Sequence, residues 1–220
     1  MTKKVLITGG AGDFAQHLRA AFSAAGWEVL APGREELDVA SAASVKAFFS
    51  QIDRLDLLIN NAGLFIDKPL VSMSADDFTK VVDVCLKGAF LCSQAAVKLM
   101  SRQREGHLIH IGSFSALSGP AGQTNYAAAK AGLIALSQSL AREYGARNVR
   151  SNCVLPGFLD TKMTRELLTN ESFRESLLAG HALGRLNTPE DAARFILFLD
   201  SLLNISGQVF QLDSRVRAWT

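Results

Sequence analysis

Tyr126 and Lys130 stand four residues apart in Tyr126-Ala127-Ala128-Ala129-Lys130, which on a helix puts a phenol and an ammonium on one face, one turn apart. That pairing has a chemical use. A free phenol with a pKa near 10 is ionised to only about one part in a thousand at neutral pH, and lowering it by two or three units takes roughly 3–4 kcal/mol. One ammonium about 4 Å away at an effective dielectric near 20 supplies about that much. Tyr126 could then give a proton to a carbonyl oxygen, or take one from an alcohol, without a prohibitive charged state. The spacing alone is common by chance, and two exposed helix residues would produce it equally well.

A second chemical feature lies near the start, in Thr8-Gly9-Gly10-Ala11-Gly12-Asp13-Phe14-Ala15, between an apolar run and a stretch of helix-forming composition. Glycines let a backbone approach a pyrophosphate, and the free N–H groups of the helix that follows meet its negative charge. Gly10-x-Gly12-x-x-Ala15 fits the dinucleotide fingerprint that allows alanine last. About 20 residues on, a cofactor with a free ribose 2′-hydroxyl usually meets an acid. Here the place reads Ala31-Pro32-Gly33-Arg34. A guanidinium able to hold a 2′-phosphate, with no carboxylate to repel it, favours NADP over NAD. A solvated Arg34 beside Glu35 and Glu36 is the plain alternative.

These residues need a scaffold, and apolar runs alternating with stretches of helical period supply one: an α/β fold with a doubly wound parallel sheet covered on both faces. Strands are expected at Lys4–Thr8, Glu28–Ala31, Leu55–Asn60, His107–Gly112, Val149–Leu155 and Gln208–Leu212. Helices are expected near 13–25, 41–51, 75–103, 123–145, 164–179 and 189–201. Pro32–Val39 leaves little room for a full crossover helix, so a loop with a vestigial strand at Leu37–Val39 is expected there. A length of 220 residues with 48% hydrophobic content suits a single domain, here 1–220. The 23 basic and 21 acidic residues are scattered, which leaves no strong field for nucleic acid. Cys85, Cys92 and Cys153 lack metal-ligand spacing and sit in apolar runs, as buried reduced thiols do; His17, His107, His110 and His181 share no metal-like spacing either, so no metal is expected. No uninterrupted apolar stretch would span a bilayer, and a cytoplasmic protein is expected.

Together with these features, several further motifs resemble the short-chain dehydrogenase/reductase family over nearly the whole chain. Asn60-Asn61-Ala62-Gly63 is similar to the family's signature that supports the sheet and lines the adenosine side; Asp38-Val39 resembles its adenine-contacting pair. Ser113, thirteen residues before Tyr126, matches the catalytic serine whose hydroxyl holds the substrate oxygen. Pro156-Gly157-Phe158-Leu159-Asp160-Thr161 matches the turn that contacts the nicotinamide carboxamide, with Thr161 as the side-chain donor. The resemblance thus implies Ser113, Tyr126 and Lys130 as catalytic residues. Together with Gly9, Gly12, Asp13, Phe14 and Arg34 read above, it gives Asp38, Asn60, Ala62, Gly63, Pro156, Gly157, Leu159 and Thr161, with Tyr126 and Lys130, as expected cofactor contacts. It implies reduction of a ketone, most like that of a 3-oxoacyl carrier-protein reductase.

Three departures stand out. The family's glycine signature usually reads TGxxxGxG, whereas here the middle glycine is at 12, Asp13 follows it and Ala15 stands last; a carboxylate at 13 would repel a pyrophosphate unless it points to solvent or caps the helix. Cys85 occupies the place of the family's catalytic asparagine, which puts the usual proton relay in doubt. Leu212-Asp213-Ser214-Arg215 replaces an Asp-Gly-Gly ending, a change expected to touch packing more than chemistry. A nucleotide-binding regulatory or scaffold protein with weak turnover is therefore the rival reading. Met163, Leu167, Leu168, Phe173, Leu177 and Leu178 have the spacing of a substrate lid over 157–187, or of an ordinary amphipathic helix. Arg104 and Arg147 match basic positions that dock acyl carrier protein in the resembled reductases, though helix C-termini favour basic residues in any case. Helices 75–103 and 123–145 carry more apolar residues than one buried face needs, and in the family they make dimer and tetramer contacts, so a homo-oligomer is expected.

Overall fold

The period-2 alternation of β1 (Lys4–Ile7) sorts its side chains between two separate cores. Val5 and Ile7 face one cluster and Leu6 the other, all fully buried. In the computed structural model, which describes residues 2–162 and 164–216, five more strands join it: β2 (Glu28–Leu30), β3 (Leu57–Asn60), β4 (Gly106–Ile111), β5 (Val149–Leu155) and β6 (Val209–Gln211). All pairings are parallel, in the order β2-β1-β3-β4-β5-β6. Strands buried on both faces need cover on both, and helices provide it. On one side α1 (Asp13–Ala24) and α9 (Pro189–Ser201) lay Phe14, Leu18, Phe22, Ile196 and Leu199 on the sheet. On the other, α2 (Ala42–Phe49) and α4 (Gly88–Gln103) supply Val45, Phe49, Cys92, Ala96 and Met100. The expected doubly wound fold is present.

The strand order reverses at β1, whose neighbours are β2 on one side and β3 on the other. Loops leaving the carboxyl ends of β1 and β3 therefore diverge around a crevice, the usual ligand position in such sheets.

Three regions differ from the expected layout. Leu37–Val39 forms no strand. Its backbone is committed to local turns, with Leu37 N–H donating to Gly33 O, Asp38 N–H to Ser44 Oγ and Ala40 N–H to Asp38 Oδ1. Leu37 and Val39 are buried in the second core instead, and β2 remains the edge of the sheet. The expected helix 75–103 is interrupted: α3 (Ala75–Val82) passes into a wider π-helical turn at Asp83–Lys87 before α4 begins. The wider turn brings Cys85 against Leu64 and Gly88 against Val39, where an added Cβ would lie only 2.7 Å from Val39 Cγ2.

The remaining helices are α5 (Ser115–Ser118), α6 (Thr124–Tyr144), α7 (Arg165–Leu168) and α8 (Glu171–Ala179). The single helix expected over 164–179 is thus two, because Asn170 caps α8 by accepting from Phe173 N–H. Met163, expected to be part of the lid, lies outside the described residues. No helix among the described residues is long and apolar enough to cross a membrane.

Candidate active site

The β1 and β3 loops are tied together where the crevice begins. Thr8 Oγ1 accepts from the backbone N–H groups of Asn61 and Ala62, each at 3.0 Å. Gly9 stands at φ +68°, and a Cβ there would fall 2.9 Å from Ala62 Cα, so this turn needs glycine both for its backbone angle and for the close approach. A cavity of about 550 Å³ opens from this junction. At one end it is walled by Arg34 and Asp38, in the middle by Gly9, Asp13, Phe14, Ala62 and Gly63, and at the other end by Ser113, Tyr126 and Lys130 facing Pro156, Gly157, Leu159 and Thr161. A cleft with a glycine cradle between the Arg34–Asp38 pair and the Ser113, Tyr126 and Lys130 group has room and donors for a dinucleotide.

Lys130 and Tyr126 lie one turn apart on α6, with Lys130 Nζ 5.5 Å from the centre of the Tyr126 ring. Lys130 is 3% exposed and donates to Ile111 O at 2.6 Å. Burial works against its charge, but Tyr126, Cys85 and Cys153 outweigh it, so its pKa is raised and it remains an ammonium. Ser113 follows β4, its Oγ accepting from Ser115 N–H at 3.1 Å.

Two expected residues stand elsewhere. Asn60 turns its side chain into the core, donating to Ser93 Oγ at 3.0 Å and contacting His110 Nδ1 at 3.3 Å; its neighbour Asn61 lines the cavity instead. Gly12 caps α1 without forming the wall, its N–H bonded to Gly9 O. Arg104 and Arg147 are exposed beside the starts of β4 and β5, where Asn148 Nδ2 donates to Arg104 O; this is the end of the sheet away from the cavity.

The departures acquire explanations. Asp13 neither caps α1 nor faces solvent freely: its Oδ2 accepts from Lys162 N–H at 2.5 Å and its Oδ1 is 3.6 Å from Lys162 Nζ, which joins the glycine turn to the segment after Thr161. Cys85, 1% exposed, accepts from Leu64 N–H at 3.4 Å and donates to Leu64 O at 3.2 Å. The side chain of Asp213 is buried and paired with Arg215, whose guanidinium lies 3.7 Å from the ring centre of Phe114, next to Ser113. Gly157, at φ +91°, leaves Asp213 room: a Cβ there would come within 3.0 Å of Asp213 Cβ.

A family model described as enoyl-(acyl carrier protein) reductase matches residues 4–214. The chain belongs to the short-chain dehydrogenase/reductase family. A 3-oxoacyl-[acyl-carrier-protein] reductase of Chlamydia trachomatis is 40% identical over 174 residues, which are 78% of this chain and 69% of that protein. The protein of the same description from Aquifex aeolicus is 38% identical over 215 residues, 95% of this chain and 85% of the relative. A crystal structure of a protein from Agrobacterium tumefaciens, assigned there as a gluconate dehydrogenase, superposes with a TM-score of 0.92 over 96% of this chain and 94% of its own; at 24% identity it speaks for the fold.

As a member of the short-chain dehydrogenase/reductase family, the chain is an oxidoreductase acting on CH–OH or C=O groups. Its site also includes residues that the spacing of motifs did not single out. Asn125, fully buried just before Tyr126, donates to Ile66 O at 3.0 Å and accepts from Tyr126 N–H at 2.7 Å, which seats the start of α6 on the loop after β3. Thr164 Oγ1 donates to Leu159 O and accepts from Thr161 N–H, which fixes the turn after β5. The Thr161-x-x-Thr164 spacing was the available signal. Ser115, Gln123 and Asp67 line the wall beside Ser113, and nothing local in the sequence connects them.

Proposed function

We propose that this reductase converts the 3-oxo group of an acyl thioester to a secondary alcohol, with Tyr126 as proton donor and NADPH as cofactor. The observation that carries the reading is the convergence of Ser113, Tyr126 and Lys130 at one end of a cleft that has a glycine cradle in its middle and Arg34 at the far end. NADPH, when bound, supplies the hydride. Gly9, Phe14, Asp38, Ala62 and Gly63 would hold its adenosine and pyrophosphate portion, and Pro156 to Thr161 its nicotinamide end. Ser113 donates a hydrogen bond to the ketone oxygen and holds it beside the Tyr126 hydroxyl. Tyr126 hands its proton to that oxygen as the carbon is reduced, while the ammonium of Lys130 limits the cost of the phenolate left behind.

Arg34 supports the cofactor choice. Its side chain is 87% exposed and, among the described residues, is paired with Asp38 Oδ2 at 3.9 Å, a weak surface pair that a 2′-phosphate would compete with for the guanidinium. The relatives named as acyl-carrier-protein reductases support the substrate class. Segment 157–187 serves as the lid: Phe158 and Phe173 pack at 6.0 Å between ring centres, and Leu167 reaches the cavity. Arg104 and Arg147, lying together away from this chain's cavity, would serve a carrier directed to a neighbouring copy.

NADPH consumption with an acetoacetyl thioester tests the reading. The wild type should turn over, and Tyr126→Phe should lose at least about a hundredfold in kcat with little effect on NADPH binding. Full activity in Tyr126→Phe would reject the mechanism. NADPH binding with no turnover by the wild type would favour a nucleotide-binding role.

A further inference from the structure

Beside Ser113 a row of polar groups runs along the cavity wall and ends on a carboxylate. Ser113 Oγ lies 3.2 Å from Ser115 Oγ, Ser115 Oγ lies 2.8 Å from Gln123 Oε1, and Gln123 Nε2 lies 2.7 Å from Asp67 Oδ2. The direction of every hydrogen follows from the last member. A carboxylate only accepts, so Gln123 must present its NH₂ to Asp67 and its carbonyl oxygen to Ser115. Ser115 has one hydroxyl hydrogen, and that carbonyl claims it. The contact between the two serines can therefore be made in one sense only, with Ser113 donating. Ser113 Oγ meanwhile accepts from Ser115 N–H at 3.1 Å, so its position is fixed by the backbone and its hydrogen by the chain.

We infer that Asp67, Gln123 and Ser115 are positioning residues that orient the Ser113 hydroxyl for reduction; the inference rests on the ketone-reduction reading above. With the ketone absent, the chain parks the Ser113 hydrogen on Ser115. When the ketone enters, that hydrogen turns to the carbonyl oxygen, and Ser115, its own hydrogen held by Gln123, cannot compete for that oxygen or donate into Ser113. Asp67 and Gln123 act through the two serines rather than on the ketone. They act from the rim by deciding which serine is the donor.

A compensating pair of substitutions tests this. Gln123→Glu sets two carboxylates against each other and breaks the chain. Adding Asp67→Asn restores it in the same sense, because the amide introduced at position 67 donates to the carboxylate introduced at position 123, whose other oxygen still accepts from Ser115. Gln123→Glu should lower kcat on the acetoacetyl thioester about tenfold, with the KM for NADPH and NADPH fluorescence titrations unchanged, and the double variant should return to within about twofold of wild type. Ser115→Ala removes the link, so in that background Gln123→Glu should cost nothing further, a coupling that simple packing would not show. Should Gln123→Glu not fold, Ser115→Ala alone should still lower kcat severalfold at an unchanged KM for NADPH. An active wild type whose double variant stays as slow as Gln123→Glu, or whose Ser115→Ala variant is fully active, overturns the inference alone. A wild type that reduces no ketone overturns the functional reading and this inference with it.

Discussion

Cys85 is the residue at which the family resemblance is weakest, and the structure shows what its thiol holds. Its sulfur accepts from Leu64 N–H and donates to Leu64 O, a donor and an acceptor role that a side-chain amide would fill at the same place. Cys85→Ala should therefore lose both bonds and leave a small void, lowering stability by about 1–2 kcal/mol in urea melts, while Cys85→Asn should keep the anchoring. Equal stability of Cys85→Ala and wild type would show that these sulfur contacts carry nothing. Arg34 is the second residue whose role a single measurement decides. Arg34→Ala should raise the KM for NADPH about tenfold or more and leave that for NADH nearly unchanged; parallel losses with both cofactors would argue against a 2′-phosphate contact. Tyr126 and Lys130 were legible in the sequence because their spacing is local to one helix turn. Gln123 and Asp67 were not, because their pairing is made only by the tertiary fold. Asn60 misled for a related reason: alternation along β3 decides whether 60 or 61 faces the cleft, and the motif does not state the register.

At the scale of elements, the strands and most helices were legible because burial on both faces of a parallel sheet leaves unbroken apolar runs. Leu37–Val39 has the same apolar look, yet Asp38 and Ser44 divert its backbone hydrogen bonds into turns. Strand β4 carries a consequence of burial that apolar runs conceal, since His107 and His110 sit fully buried within it. Burial pushes His107 down to about 4 and His110 down to about 3, so between about pH 6.5 and pH 4 both stay neutral in the folded protein while the unfolded chain protonates them. Over that window the unfolded state binds protons that the folded state refuses. Stability must then fall as pH drops from 6.5 toward 4, by up to about 1.4 kcal/mol per pH unit for each histidine. Urea midpoints at pH 7.0, 5.5 and 4.5 should show the decline, and His110→Gln should flatten it. An unchanged slope in that variant would mean that His110 gains its proton without unfolding.

At the scale of the whole molecule, the alternation of apolar runs with helical stretches predicted one sheet with two helical layers but not where the exposed apolar groups would fall. Phe90, 45% exposed on α4, and Phe78, 40% exposed on α3, are turned outward although both helices pack well against the body. Phe198 and Leu203, at 58% and 67%, lie on and just after α9. Large rings left to water on two separate faces carry an area cost that a second copy would remove, at about 25 cal/mol for each Å² covered. The edge strands β2 and β6 are poor alternatives for association, each being three residues long, with Glu28 exposed and paired to Lys4 at the start of β2. Association through the helical face is therefore expected, with light scattering giving at least a dimer mass. Phe90→Arg should shift that mass toward the monomer with the far-UV spectrum and thermal midpoint little changed, because the ring it removes is not part of either core. A wild type that scatters as a monomer at tens of micromolar would refute the oligomer. A Phe90→Arg variant that keeps the wild-type mass would move the interface to the Phe198 and Leu203 side, where Phe198→Arg asks the same question.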